Sequence, residues 1–221
     1  EAYAGETCNF KKCTFCAPTY ACNFSGDSPK NRAYFEECTF MGWSSFGVDA
    51  TFNNCVFDSE KGGIYNVVHV YGETEFNECE FVYGKLENPD HEYIGIIGGS
   101  ASISNCSATI NDEAANIFDY IYVEDGAKLV VHINSNEEQD LLNAAANVEG
   151  ATIKIKFGYY TFPTNIAKGV TIEAYTWEDG YVDFVEFQGK SNFDIHGNTV
   201  RGVNFWNGQD RVNAGYGSII N

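Results

Sequence analysis

Ala50-Thr51-Phe52-Asn53-Asn54-Cys55-Val56-Phe57 carries one copy of a phrase, Phe-x-x-Cys-x-Phe, that stands four times in the first 81 residues. The copies run Phe10 to Phe15, Phe35 to Phe40, Phe52 to Phe57 and Phe76 to Phe81, and a worn fifth follows at Ile103 to Ala108. Their cysteines, Cys13, Cys38, Cys55, Cys79 and Cys106, lie 25, 17, 24 and 27 residues apart. An uneven period around a constant phrase marks a solenoid whose turns differ in length between fixed strands.

Within the quoted copy, apolar residues alternate up to Phe52, break across Asn53-Asn54 and alternate again at Cys55 and Phe57. That pattern reads as two short strands around a bend. Asparagine tolerates the left-handed backbone of a tight bend, so Asn54 and Asn105, with Glu37 and Glu78 as polar equivalents, are expected at corners. Stacked turns would set Phe on Phe and Cys on Cys about 4.8 Å apart. On the outside, the column two residues after the first Phe reads Lys12, Glu37, Asn54, Glu78, Asn105. Lys12 and Glu37 attract there, and Asn54 keeps the two glutamates apart. A β-sandwich also uses short strands with turn signals, but it gives no reason for the recurring phrase.

These Phe-x-Asn-Cys-x-Phe lines resemble right-handed parallel β-helices of the pectate-lyase-like superfamily. Asn198-Thr-Val-Arg-Gly-Val-Asn-Phe-Trp-Asn-Gly208 and Gly215-Tyr-Gly-Ser-Ile-Ile-Asn221 are similar to coils in adhesin-like surface proteins and in phage virion proteins. The resemblance implies an extracellular place, on a cell or virion surface. It specifies fold more closely than function, because the superfamily holds lyases, hydrolases, tailspikes and adhesins.

Composition agrees with packed coils joined by turns: 17 Phe, 14 Tyr and 3 Trp accompany 22 Gly in 221 residues. A net charge of −18 argues against nucleic acid or anionic lipid as a partner. Residues 1–126 hold 20 acidic against 6 basic residues, net −14, whereas residues 127–221 hold 11 against 7, net −4. No apolar run is long enough to insert in a membrane as a helix. The five ladder cysteines are expected as buried free thiols, since a strand spacing of about 4.8 Å exceeds the ~3.8 Å between Cβ atoms that a disulfide prefers. Cys16 and Cys22 are spaced to close a small disulfide loop. Cys8, Cys13, Cys16 and Cys22 as a zinc set is the alternative.

Ser135-Asn-Glu-Glu138 is a capping box, with Ser135 placed to accept from the Glu138 amide, and it opens a helix through Gln-Asp-Leu-Leu-Asn-Ala-Ala-Ala-Asn147. Ala151 to Phe157, a turn at Gly158-Tyr-Tyr-Thr-Phe-Pro163 and Gly169-Val-Thr-Ile172 follow, an order that resembles the capped opening of many β-helices. The expected fold is therefore all-β, a right-handed parallel β-helix (solenoid) in two arms with one short capping α-helix mid-chain. Residues 1–126 form an acidic arm with the cysteine ladder, 127–150 a linker and capping helix, and 151–221 a second arm.

An opening in mid-chain suggests circular permutation, with both termini at open coil faces. Such faces are covered by partners. A copy stacked head to tail would exchange arms, a form of domain swapping, and build a filament. A fragment of a tandem array and a self-closed monomer are the other accounts. The stacking contacts would be Cys8, Phe10, Phe205, Ile219 and Ile220.

Catalysis by this fold would need a base with calcium-bound carboxylates, or two carboxylates at a set separation. Asp58 with Glu60, Asp112 with Glu113, Glu124 with Asp125, and Glu178 with Asp179 sit in turn-like stretches that read as solvated loops. Glu87-Asn-Pro-Asp-His-Glu92 clusters hard oxygen donors, which makes Glu87, Asp90 and Glu92 a calcium candidate without the spacing of a calcium loop. The histidines His69, His91, His132 and His196 share no ligand spacing, and His196 takes a place equivalent to a ladder cysteine. Trp43, Trp206, Tyr159, Tyr160 and Tyr175 fall near expected turns, where rings can stack on glycans or cover corners. The function expected is a structural or adhesive surface protein that assembles with copies of itself. A carbohydrate-active enzyme or glycan-binding module is the alternative.

Overall fold

The computed structural model describes residues 7–24, 31–59, 68–83, 94–189, 193–195 and 197–214. The fold is all-β, a parallel β-solenoid with one short α-helix. The chain divides into two compact units, Glu1–Leu129 and Val130–Asn221.

Each turn of the first unit passes through three parallel ladders. Thr7–Lys11, Arg32–Glu36, Asp49–Asn53, Glu73–Asn77 and Ser100–Ser104 pair in that order, with Phe10, Phe35, Phe52, Phe76 and Ile103 in register. The second ladder is Thr14–Phe24, Thr39–Phe46, Val56–Asp58, Glu80–Tyr83 and Ser107–Ile110, with Phe15, Phe40, Phe57, Phe81 and Ala108 in register. Glu113–Ala115 folds back antiparallel on its last strand. The far halves of Thr14–Phe24 and Thr39–Phe46 start the third ladder, which continues through Val68–Val70, Ile94–Ile96 and Ile121–Val123.

The interior follows from the repeat. Phe35 and Phe52 stack with centroids 4.9 Å apart and planes 10° apart, and Phe40 and Phe57 at 4.9 Å and 8°. Between the two ladders the rings meet edge to face, as Phe52 and Phe57 do at 5.2 Å and 74°. Both arrangements suit the ring quadrupole. The thiols behave as packed groups with a weak donor: Cys55 Sγ donates to the Phe35 carbonyl at 3.6 Å and Cys79 Sγ to that of Phe52 at 3.5 Å. All eight cysteines are free.

The corners lie where the phrase places them. Lys12, Glu37, Asn54, Glu78 and Asn105 hold φ of 55°, 51°, 53°, 55° and 52°. Lys12 Nζ reaches Glu37 Oε2 at 3.3 Å across neighbouring turns. Left-handed backbone costs most side chains about 1 kcal/mol and suits Asn better than Glu, so Glu78→Asn should raise the unfolding free energy by up to about 1 kcal/mol. A urea titration that finds Glu78→Asn less stable would refute this strain reading.

Cys16 and Cys22 do not join. Cys16 is exposed opposite Met41, while Cys22 is buried opposite Ser44, with register shifts between them. Alternation sends Cys16 outward and Cys13 inward, which breaks up the zinc set as well. Among the described residues no three His, Cys, Asp or Glu side chains form a metal-sized group.

In the second unit, Lys128–Ile133 pairs from Val130 onward with Thr152–Ile155, followed by Thr171–Ala174 and Thr199–Arg201, all parallel. A second sheet runs Gly158–Thr161, Val185–Gln188, Val203–Trp206 and then Arg211–Ala214, the last antiparallel. The stretch read as a turn at Gly158 is thus a strand, because Tyr160 alternates inward onto the core, at 3% exposure, and Tyr159 alternates outward.

The helix forms at Gln139–Ala145, after a 3-10 turn at Asn136–Glu138. Ser135 does not cap with its side chain. Its carbonyl already accepts from the Glu138 N–H at 3.1 Å, and Glu138 Oε2 instead reaches back to the Asn134 N–H at 2.6 Å. Gln139 does the more consequential capping. Its amide donates to the Thr161 carbonyl and accepts from the Thr161 N–H, both at 2.9 Å. One side chain thereby stands in for a neighbouring strand on the edge of Gly158–Thr161. Among the described residues no helix is long and apolar enough to cross a membrane.

Candidate functional site

Alternation along the short sheet of the second unit turns one set of side chains into the core and the other out. Val185, Phe187, Val203 and Phe205 go inward and are buried. The outward set falls into two columns in register: Tyr159, Glu186, Asn204 and Asn213, and beside it Thr161, Gln188, Trp206 and Arg211.

The floor of this face is polar and interlocked. Glu186 has a fully buried side chain, yet it lies on the outward column, covered by its neighbours. Its Oε1 accepts from Gln188 Nε2 at 2.8 Å, and its Oε2 accepts from Arg211 Nε. Asn213 Nδ2 donates to Asn204 Oδ1 at 2.8 Å, and Asn204 Nδ2 donates to the Val185 carbonyl at 3.2 Å. Burial pushes the Glu186 carboxyl up, but the hydrogen bonds from Gln188 and Arg211 and the guanidinium charge outweigh it, so it stays below its ordinary value.

Aromatic rings wall this floor. Tyr159, Phe157 and Trp206 are 51%, 60% and 37% exposed. Tyr159 and Phe157 pack on Phe184 at 6.0 and 6.2 Å, and the Arg211 guanidinium lies 6.0 Å over the Phe184 ring. Around the corner Lys156 stands over Tyr175 at 5.3 Å and Trp177 at 5.6 Å. Exposed ring faces beside oriented amides and a charge-neutral ion pair make a surface able to bind an uncharged, hydroxyl-rich ligand.

Of the aromatics singled out from sequence, Tyr159 and Trp206 belong to this face, Tyr175 stands at its corner and Tyr160 is core. Trp43 is on the strand Thr39–Phe46 of the first unit. The floor itself, Glu186, Gln188, Asn204, Arg211 and Asn213, was not anticipated. Its signal was the matched alternation of Val185-Glu-Phe-Gln188 and Val203-Asn-Phe-Trp206.

Among the stacking candidates, Cys8 and Phe10 are half-exposed on Thr7–Lys11. Phe205 is 6% exposed, packed on Phe193 at 4.6 Å and Phe162 at 5.4 Å, with Arg211–Ala214 beside its strand. Ile219 and Ile220 lie outside the described residues, as do the calcium candidates Glu87, Asp90 and Glu92, and Glu60, His91 and His196. Asp112, Glu113, Glu124, Asp125, Glu178 and Asp179 are all exposed.

No protein-family model matches this chain, and no curated protein does. Among solved structures it is similar to a trypsin-treated variant of QnrB1, a plasmid-mediated fluoroquinolone resistance protein, with 13% identity and a TM-score of 0.28 over 91% of this chain and 93% of that one.

Proposed function

We propose that this chain is an adhesive module of an extracellular surface protein, a β-helix of the pectate-lyase-like kind, which binds a neutral glycan on the outward face of its second unit. The observation that carries the reading is the polar floor of Glu186, Gln188, Asn204 and Arg211 walled by Tyr159, Phe184 and Trp206. Charges that neutralise one another, with amides between ring faces, favour hydroxyls over carboxylates or ammonium groups. The floor's carboxylate is tied to Arg211, an arrangement that supports binding rather than two-carboxylate hydrolysis. The bend phrase of the first unit supports the superfamily reading.

A glycan array of neutral and uronate oligosaccharides, followed by calorimetry on the best ligand, tests this. Trp206→Ala and Tyr159→Ala should each weaken binding roughly tenfold, the loss expected of an aromatic anchor. Binding indifferent to both, or restricted to uronates, would overturn the proposal.

A second reading, assembly with copies of itself, is favoured by the state of the first described turn. Cys8, Phe10, Cys13 and Phe15 are half-exposed there, while Phe35 and Phe40 of the next turn are fully buried. Negative-stain microscopy across concentrations should find filaments that Phe10→Glu dissolves. Monodisperse particles at every concentration would discard this second reading.

A further inference from the structure

The first unit carries a separate track of rings on the outside of its third ladder. One outward column there is Asn23, Ser45, His69, Gly95 and Tyr122, each in register with the next. Tyr20 and Trp43, also in register, stand beside this column with ring centroids 4.1 Å apart. Trp43 meets His69 at 5.4 Å and His69 meets Tyr71 at 6.5 Å. Four of these five turns therefore lend a ring to one line, and the fourth brings Gly95 instead. Tyr20, Tyr71 and Tyr122 are 47%, 45% and 40% exposed, so these rings are not spent on core packing.

Gly95 shapes the line. A Cβ at that position would sit 2.6 Å from His69 Cδ2, so the imidazole lies across the space that a side chain at residue 95 would fill. Burial also pushes the His69 pKa down, which keeps the ring uncharged at neutral pH.

We propose that this track is a second, independent stacking platform, for a neutral oligosaccharide laid along the line of turns. Three features choose that occupant. The column has no formal charge, although residues 1–126 carry 20 acids against 6 bases, so it offers a cation no carboxylate of its own. The acidity of the surrounding arm repels polyanions. Asn23, Ser45 and His69 recur between the rings, and a lipid chain or apolar helix would strip these polar groups of water without replacing the hydrogen bonds. Sugar rings present apolar faces and hydroxyl edges together, and so match both.

The test uses Trp206→Ala as the parent, so that the face on the second unit is already weakened. Hexasaccharides of glucose, mannose, xylose and galactose are titrated in, with hexagalacturonate and tetramethylammonium as controls, while the Trp43 indole N–H is followed by NMR. At least one neutral hexasaccharide should shift that signal to saturation. Trp43→Ala, read by calorimetry, and Gly95→Ala, which displaces His69 without removing a ring, should each weaken binding roughly tenfold. Circular dichroism and Trp43→Phe, which keeps a ring, separate lost binding from lost fold. Failure of every neutral sugar to move the Trp43 signal, full binding in both variants, or preference for hexagalacturonate or tetramethylammonium would overturn the proposal. If Trp206→Ala leaves binding unchanged in the otherwise native protein while the Trp43 response persists, the proposal for the second unit fails and this one stands.

Discussion

Phe52→Ala should lower the unfolding free energy by about 4 kcal/mol, the middle of the range for deleting a buried aromatic ring. Phe52 is 0% exposed and is held from every side. It stacks on Phe35 at 4.9 Å and on Phe76 at 5.2 Å, and Phe40, Phe46 and Phe57 meet it edge to face at 5.7, 4.9 and 5.2 Å. Parallel strands on both sides hold those neighbours in place, so the cavity left by the ring cannot readily collapse. Because each turn of a solenoid leans on its neighbours, the loss should fall on the turns around Phe52 first. Urea denaturation with hydrogen exchange would check this: amides of Arg32–Glu36 and Glu73–Asn77 should lose protection before those of Thr152–Ile155. Phe52→Leu should cost about 1.5 kcal/mol, since most of the volume is kept. A loss under about 1 kcal/mol for Phe52→Ala would mean that the stack is not the source of stability claimed here.

Arg211→Ala should cost about 2 kcal/mol at pH 7, through the carboxylate it abandons. Removing one member of a fully buried ion pair typically costs about 3 kcal/mol or more. Arg211 is itself 56% exposed, so the figure is discounted for solvent screening. The pH dependence distinguishes this cause from lost packing. In the native protein the Glu186 pKa is lowered, so its contribution is fully present above the unfolded value and is lost as pH falls through the folded one. Without Arg211 the burial cost prevails, the carboxyl moves up and the deficit should shrink as acid protonates it. Glu186→Gln in the Arg211→Ala background should likewise restore part of the loss. A deficit that stays constant from pH 7 to pH 4 would point to packing of Arg211 on Phe184 instead.

The first unit was readable because its residues repeat. Phe35, Phe52 and Phe76 recur at the same place in the phrase, so the register of three turns follows from aligning three lines of text. Glu37, Asn54, Glu78 and Asn105 were legible as corners for the same reason, and the attraction between Lys12 and Glu37 followed from the stacking. Where repetition fails, reading fails with it. Ser135 satisfied a local capping rule, yet a main-chain hydrogen bond to Glu138 took its place. Tyr160 and Tyr159 looked alike in a presumed turn, and strand alternation buried one and exposed the other. Cys16 and Cys22 looked close along the chain, but the strand that holds them directs one outward and one inward.

By itself, then, the sequence determined the all-β solenoid, its stacked aromatic and thiol ladders and its left-handed corners, because each depends on spacing within one short phrase. Only the tertiary structure decided which outward residues meet. Glu186 and Arg211 are brought together by strand register, and Tyr20, Trp43 and His69 by the stacking of turns whose lengths differ. Such contacts depend on the lateral position of one turn over the next, which hydrogen bonds between strands set and no local pattern of residues encodes.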